Sequence, residues 1–263
     1  MTIIYIILGL ACLEHLYSLY RRDGFCSWKT TFVNMLNQLF GVMKDHLVPI
    51  LSVIGIVRGA EVLMPHLFHF KNSLPGLIAC LVLMDFCYYC SHRISHRFAI
   101  PWMFHFVHHS SHRYNISAGL RSSFLEIVVL FACNSIVLLL GFPLATFLFA
   151  FKITSTYQFV THSRYLKLPR FVEYVFVTPS YHMTHHDQDR KNQNSNFGGV
   201  FTFWDRIFRT RAENASEETF LPGIKGYAQD NLIRIHLDPL FIVSKQVLAR
   251  RAKQRKLKVS AAG

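Results

Sequence analysis

Fifteen histidines occur in this 263-residue chain, and ten of them fall between His92 and His186. Three clusters stand out: His92-Arg-Ile-Ser-His96, His105-Phe-Val-His108-His109 and His182-Met-Thr-His185-His186. Residues three and four apart share a face of a helix, so each cluster can turn two or three imidazoles toward one point. His162 stands alone between the second and third clusters, and His112 follows the second. Any single such motif is weak evidence, because isolated surface or interfacial histidines are common. Two HxxHH copies plus one HxxxH put eight histidines at ligand spacing, more than one four-coordinate zinc requires. They suit two metals, each with several nitrogen ligands and room for oxygen. No carboxylate recurs at regular spacing within the clusters, which argues against magnesium or calcium. Imidazole serves iron, zinc and copper alike, so ligand type does not choose the metal.

The elements that must position these residues are apolar. The chain is 51% hydrophobic and 16% charged. Apolar runs recur at Ile3–Tyr20, Leu47–Met64, Leu74–Ser91 and Phe124–Phe151. The first three approach the minimum length of a bilayer-spanning helix, roughly 17–20 residues. Too little polar sequence remains to cover so many buried helices in a soluble core. The expected fold is therefore all-α: a multi-span helical integral membrane protein with a cytosol-facing, histidine-rich di-metal site. The first run lacks a basic start and a small-residue cleavage site and precedes Arg21-Arg22, so it reads as a retained anchor. A shared metal site constrains the path further. His92–His109 follow the third run and His162–His186 follow the fourth, so the fourth must turn back, and Gly141-Phe142-Pro143 is the place. Pro101 is expected to start the helix that bears His105–His109.

The formal net charge is +13. With the clusters on the cytosolic side, the outer loop Pro65–Ser73 holds only Lys71, while Arg58 and Lys152 lie within spans. The other 25 of 28 Lys and Arg then fall inside, as the positive-inside bias expects. The tail from Lys245 to Lys258 is densely basic, which suits anionic lipid headgroups better than nucleic acid in a chain already held at a membrane. Cys87 and Cys90 form a lone CxxC and read as small buried residues. His66 and His69 fall on the outer loop and read as interfacial. The whole chain, 1–263, reads as one domain: N-terminal spans over 1–73, a histidine core over 74–210 and a polar, basic segment over 211–263.

The stretch Asp85-Phe-Cys-Tyr-Tyr-Cys-Ser-His92-Arg-Ile-Ser-His96 and the following Trp102-Met-Phe-His105-Phe-Val-His108-His109 resemble the fatty acid hydroxylase/sterol desaturase superfamily. So do Gln158-Phe-Val-Thr-His162, Thr178-Pro-Ser-Tyr-His182-Met-Thr-His185-His186 and Asn196-Phe-Gly-Gly-Val-Phe-Thr-Phe-Trp204-Asp205. Within it, the chain looks nearest to the alkylglycerol monooxygenase-like and bacterial sterol desaturase-like branch, over roughly Leu77 to Thr210. The resemblance implies a membrane enzyme whose two iron ions activate O2 to hydroxylate or desaturate a lipid C–H bond. It implies ligands at His92, His96, His105, His108, His109, His182, His185 and His186, with His162 a ninth ligand or a residue supporting one. Asp85, which shares a helical face with Tyr89, His92 and His96, is expected to orient a ligand histidine. Asn115 and Asn196 match family positions near the site, and Trp204-Asp205 reads as a helix start. Two departures are visible: His112 replaces the usual Glu of the branch, and Arg209 a frequent Gly. His112 is read as a tolerated change outside the ligand set, the alternatives being an added ligand or a hydrogen-bond donor to metal-bound oxygen. Two electrons must come from a separate reductase or reduced cofactor, since the chain carries no haem-attachment motif and no glycine-rich nucleotide fingerprint. Two rivals are a zinc-dependent membrane hydrolase, which lacks an HExxH glutamate here, and a metal transporter, which should place ligands along its spans.

Overall fold

The computed structural model describes residues 2–38, 47, 50 and 70–260. Most of the second apolar run, with Arg58, His66 and His69, lies outside the described residues. The described residues form helices and turns, with isolated bridges and no sheet among them.

Helix α1 spans Thr2–Arg21, and a second helix, α2, is described from 28 to 38. Helix α3, Leu74–Arg97, starts on a Ser73 cap whose hydroxyl accepts from the Gly76 N–H, with a proline in its first turn. Among the described residues it is the one helix long and apolar enough to cross a membrane. Phe98 is extended and separates α3 from α4, Ala99–His109. Pro101 therefore lies in the first turn of α4 but does not open it.

The long apolar run divides into α5, Ile127–Leu139, and α6, Leu144–Val160. Gly141 sits between them at φ 97°, a conformation glycine adopts without steric cost. Both helices pack on α3. The shared core is formed by Cys80, Met84 and Cys87 of α3 against Val137, Leu138, Phe147 and Ala150. Cys87 is buried and Cys90 partly so, and both are free thiols.

The polar half of the chain folds as short caps and turns. Helix α7, Pro179–His185, opens on Thr178, whose hydroxyl accepts from the Tyr181 N–H. Helix α8, Arg190–Gln193, opens on Asp189, and α9 covers Phe203–Ile207. Helix α10, Leu232–Ser260, carries the basic tail and packs along α4. The polar end of α1 is tied to this half. The buried Glu14 accepts from the Ile116 N–H at 2.7 Å, the Ser163 hydroxyl at 2.5 Å and the Arg164 N–H at 2.8 Å.

Candidate metal centre

His92 and His96 occupy the last two turns of α3, at the end of the candidate span. Helix α4 supplies His105, His108 and His109; His162 follows α6; α7 and its C-cap supply His182, His185 and His186. These nine side chains gather into two groups. One holds His92, His96, His105, His109 and His185; the other holds His108, His162, His182 and His186. Within each group one ring nitrogen per residue lies within 4.8 Å of every other. Two nitrogens on one ion are at most roughly 4.2 Å apart, so closing on a metal needs only a small contraction.

Each HxxHH motif serves both groups. Successive helical residues are about 100° apart, so i+4 lies about 40° to one side of i and i+3 about 60° to the other. His105 and His109 accordingly stay together while His108 turns to the second group. His182 and His186 stay together while His185 turns to the first. The two groups adjoin, with the His109 and His186 rings stacked at 4.4 Å.

The hydrogen bonds around the rings fix their tautomers. Nδ1 of His92 faces the Phe197 carbonyl at 2.9 Å, that of His108 faces Arg121 at 3.0 Å, that of His162 faces Gln158 at 2.7 Å and that of His185 faces Ser195 at 2.7 Å. A carbonyl only accepts, so each Nδ1 carries a proton and each Nε2 presents a lone pair. Nε2 of His92, His96, His105 and His185, and both nitrogens of His109, are buried without a partner among the described residues. In the second group Nε2 of His108 and His162 lie 3.3 Å apart, and His182 Nε2 is 3.1 Å from both His162 and His186. The His108 and His162 lone pairs repel at that distance unless a cation lies between them. Protonation does not supply it. Burial pushes His162 down to about 4 and His185 down to about 3. Burial, reinforced by neighbouring imidazoles, also holds His108, His182 and His186 well below the ordinary value. Buried imidazoles in two compact sets, with Nε2 atoms that lack a partner or face only one another, are a donor arrangement that can hold two transition-metal ions.

The other expected site residues lie around this centre. Asp85 reaches no histidine: its carboxylate accepts from the Val200 and Phe201 N–H groups and from Trp204 Nε1, at 2.7, 3.0 and 3.1 Å. It thus anchors the 200–204 loop to α3. Tyr89 bonds Thr210 and Arg93. Asn115 caps the turn Ile116–Leu120 by accepting from the Ser117 N–H at 2.9 Å. Asn196, at φ 56°, donates to the Tyr181 carbonyl and accepts from the Ala212 N–H. His112 belongs to neither group; its Nε2 lies 3.6 Å from Asp230. Asp205 sits in the first turn of α9 and accepts from the Phe197 and Gly198 N–H groups. Arg209 adopts φ 56° just past α9, the left-handed position where glycine is favoured.

Two residues with a role here carried no sequence signal. Glu126 places a carboxylate oxygen 2.7 Å from His105 Nδ1. Arg121, fully buried, supplies the carbonyl that orients His108. Gly119 brings its turn against the His162 ring, where an added Cβ would lie 3.0 Å from Nδ1. A cavity of about 120 Å³ runs from His105, His108 and His162 between α3, α5 and α6. Met84, Leu130 and Phe151 line it beside the polar Asn134 and Gln158.

The fatty acid hydroxylase family model matches residues 77–210. Human alkylglycerol monooxygenase is 37% identical over 132 residues, covering 50% of this chain and 29% of that protein. The alkylglycerol monooxygenase of Danio rerio is 30% identical over 215 residues, 80% of this chain and 47% of that protein. An ornithine lipid hydroxylase of Rhizobium tropici is 31% identical over 131 residues, 49% of this chain and 40% of that protein. The chain thus spans less than half the length of these relatives. No solved structure matches it significantly. The matched segment runs from the first turns of α3 past α9 and contains all nine clustered histidines, and the chain belongs to the fatty acid hydroxylase family.

Proposed function

We propose that this protein is a membrane-embedded, di-iron, O2-dependent lipid monooxygenase, hydroxylating or desaturating a C–H bond of a fatty acyl, alkyl or sterol lipid. The observation that carries the reading is the convergence of nine imidazoles into two adjoining sets. His92, His96, His105, His109 and His185 would hold one ion, and His108, His162, His182 and His186 the other. Bound iron supplies the redox chemistry that turns O2 into an oxidant for an unactivated C–H bond. The chain's own residues bind the lipid, orient the ligands and exclude bulk water.

The cavity beside His105, His108 and His162 suits the reactive part of a lipid: apolar walls take the chain, and Asn134 and Gln158 give a polar group partners. Relatives named for alkylglycerols and ornithine lipids support a lipid with a polar head. Several features support membrane placement. Helix α3 has the length and composition of a span. The outer faces of α5 and α6 expose Val128, Ile136, Leu148 and Phe149. At about 1.5 Å per residue, the 13 residues of α5 and 17 of α6 fall short of a roughly 30 Å hydrocarbon layer, so we read them as a re-entrant hairpin. Both histidine halves then face the cytosol. The chain acts as one domain, its basic tail meets anionic headgroups, and a separate donor supplies electrons. The test is lipid analysis of cells with and without the protein, under air and under nitrogen. Accumulation of a lipid heavier by one oxygen, or lighter by two hydrogens, only in air and only with the protein is expected. An identical lipid profile in all four cultures would refute the reading.

A further inference from the structure

A second cavity reaches the metal centre from the side of α10. It measures about 110 Å³ and is bounded by the end of α3, the start of α4, α8 and α10. His96 and Trp102 line it. The indole lies 5.0 Å from the His96 ring and 5.7 Å from that of His109, both members of the five-histidine group. Arg97, Arg190 and Arg250, all exposed, line the cavity together with Gln193 and Gln246. No acidic side chain lines it. None of the three arginines has an ion-pair partner among the described residues.

Three separate elements bring these charges together: Arg97 ends α3, Arg190 opens α8 and Arg250 lies on α10. Guanidinium groups repel one another; at these exposed positions solvent screens that repulsion, and a bound anion would relieve what remains. Planar, forked donors converging on one space fit a tetrahedral oxyanion, and amide side chains add further donors. A water molecule needs roughly 10–15 Å³ of such space, so the cavity has room for a polyatomic anion. It lies where the candidate span ends, and Phe98 and Ile100 are exposed beside it. On the membrane placement proposed above, that depth is the headgroup layer of a bilayer. The adjoining larger groove is different in charge, since Asp187 and Asp189 enter its lining.

We propose that this arginine-lined cavity binds a phosphate ester, held beside Trp102 and His96. A phospholipid headgroup and a soluble phosphate-bearing molecule share this chemistry. The site needs no metal for its binding, so its test is separate from that of the oxygenase reading.

The protein, purified in a neutral detergent, is titrated with dihexanoyl phosphatidate, with inorganic phosphate and with uncharged dihexanoylglycerol. Binding is followed by tryptophan emission and by calorimetry. Saturable binding of phosphatidate or phosphate, and none of dihexanoylglycerol, is expected. Arg190→Gln combined with Arg250→Gln should weaken it at least tenfold. Arg251→Gln, which removes a neighbouring charge of α10 outside the cavity, should leave it within twofold. Trp102→Phe should abolish the emission change while calorimetric binding persists. Phosphatidate at least tenfold tighter than phosphate identifies a lipid headgroup as the source; equal affinities identify a soluble phosphate ester. Absence of calorimetric binding of both anions would overturn the proposal. So would equal weakening by Arg251→Gln, which would mark diffuse attraction to the basic helix.

Discussion

His105 differs from its neighbours in what holds it. The Nδ1 atoms of His92, His108, His162 and His185 face backbone carbonyls, whereas that of His105 faces the Glu126 carboxylate at 2.7 Å. A carboxylate behind a ligand imidazole fixes its orientation and raises its basicity. Glu126→Ala should lower metal affinity about 10–100-fold, with Glu126→Gln retaining more because its amide oxygen still accepts. Competition with a chelator of known affinity measures this, and unchanged affinity in Glu126→Ala would remove the assigned role. His112 gives the opposite expectation. Its ring lies beside Asp230 and in neither histidine group. His112→Glu should leave metal content unchanged and lower the melting temperature, because a second carboxylate would face Asp230. Loss of metal in that variant would place His112 among the ligands.

At the scale of elements, the site depends on what clamps the turn between α4 and α5. Arg121 donates from Nε to Asn34 Oδ1 of α2 at 2.7 Å and from Nη2 to Asp230 at 2.8 Å. Its carbonyl meanwhile accepts from His108. Thr30 of α2 donates to the other Asp230 oxygen at 2.7 Å. One buried cation thus joins α2, the α4–α5 turn and the approach to α10. Removing one partner of a buried pair costs about 3–5 kcal/mol, so Asp230→Asn should destabilise strongly. Burial tends to raise the Asp230 carboxyl, but Thr30 and Arg121 outweigh it and hold it below its ordinary value. The folded state therefore binds fewer protons than the unfolded chain. Its contribution is complete above an ordinary carboxylate pKa of about 4 and is lost as pH falls through the depressed value. Thermal melts of wild type and Asp230→Asn across that range should converge toward acid. A constant difference would contradict the account.

The same scale shows what the sequence could reveal. The HxxHH and HxxxH spacings placed imidazoles on common helix faces, and the turn at Gly141 followed from requiring both histidine-bearing halves on one side. Local periodicity carries that information. It did not show that each HxxHH divides between the two groups, because the division depends on where two helices stand relative to each other. Nor did it find Glu126 or Arg121, whose partners are 21 and 109 residues away. Asp85 shares a helical face with His92 and His96, yet its oxygens are taken by the 200–204 loop. The departure at Arg209 has a local reason: its left-handed backbone is where a glycine would be free of strain.

On the scale of the whole molecule, the structure has an apolar half and a polar half with the histidines at their junction. The α3, α5 and α6 assembly presents apolar side chains outward and encloses the cavity beside His105, His108 and His162. The caps and short helices of the polar half supply the carbonyls that set the ring tautomers. On the proposed reading a lipid would enter from the first half, while the arginine-lined cavity lies against α8 and α10 of the second. The proposed oxygenase chemistry rests on two metal sites made from nine imidazoles. The most direct test is elemental analysis of protein expressed with iron available and purified without chelators, beside His185→Ala. The account predicts close to two metals per chain, chiefly iron, and a loss in His185→Ala concentrated on the five-histidine site. One metal per chain, or two that persist undiminished in His185→Ala, would contradict it.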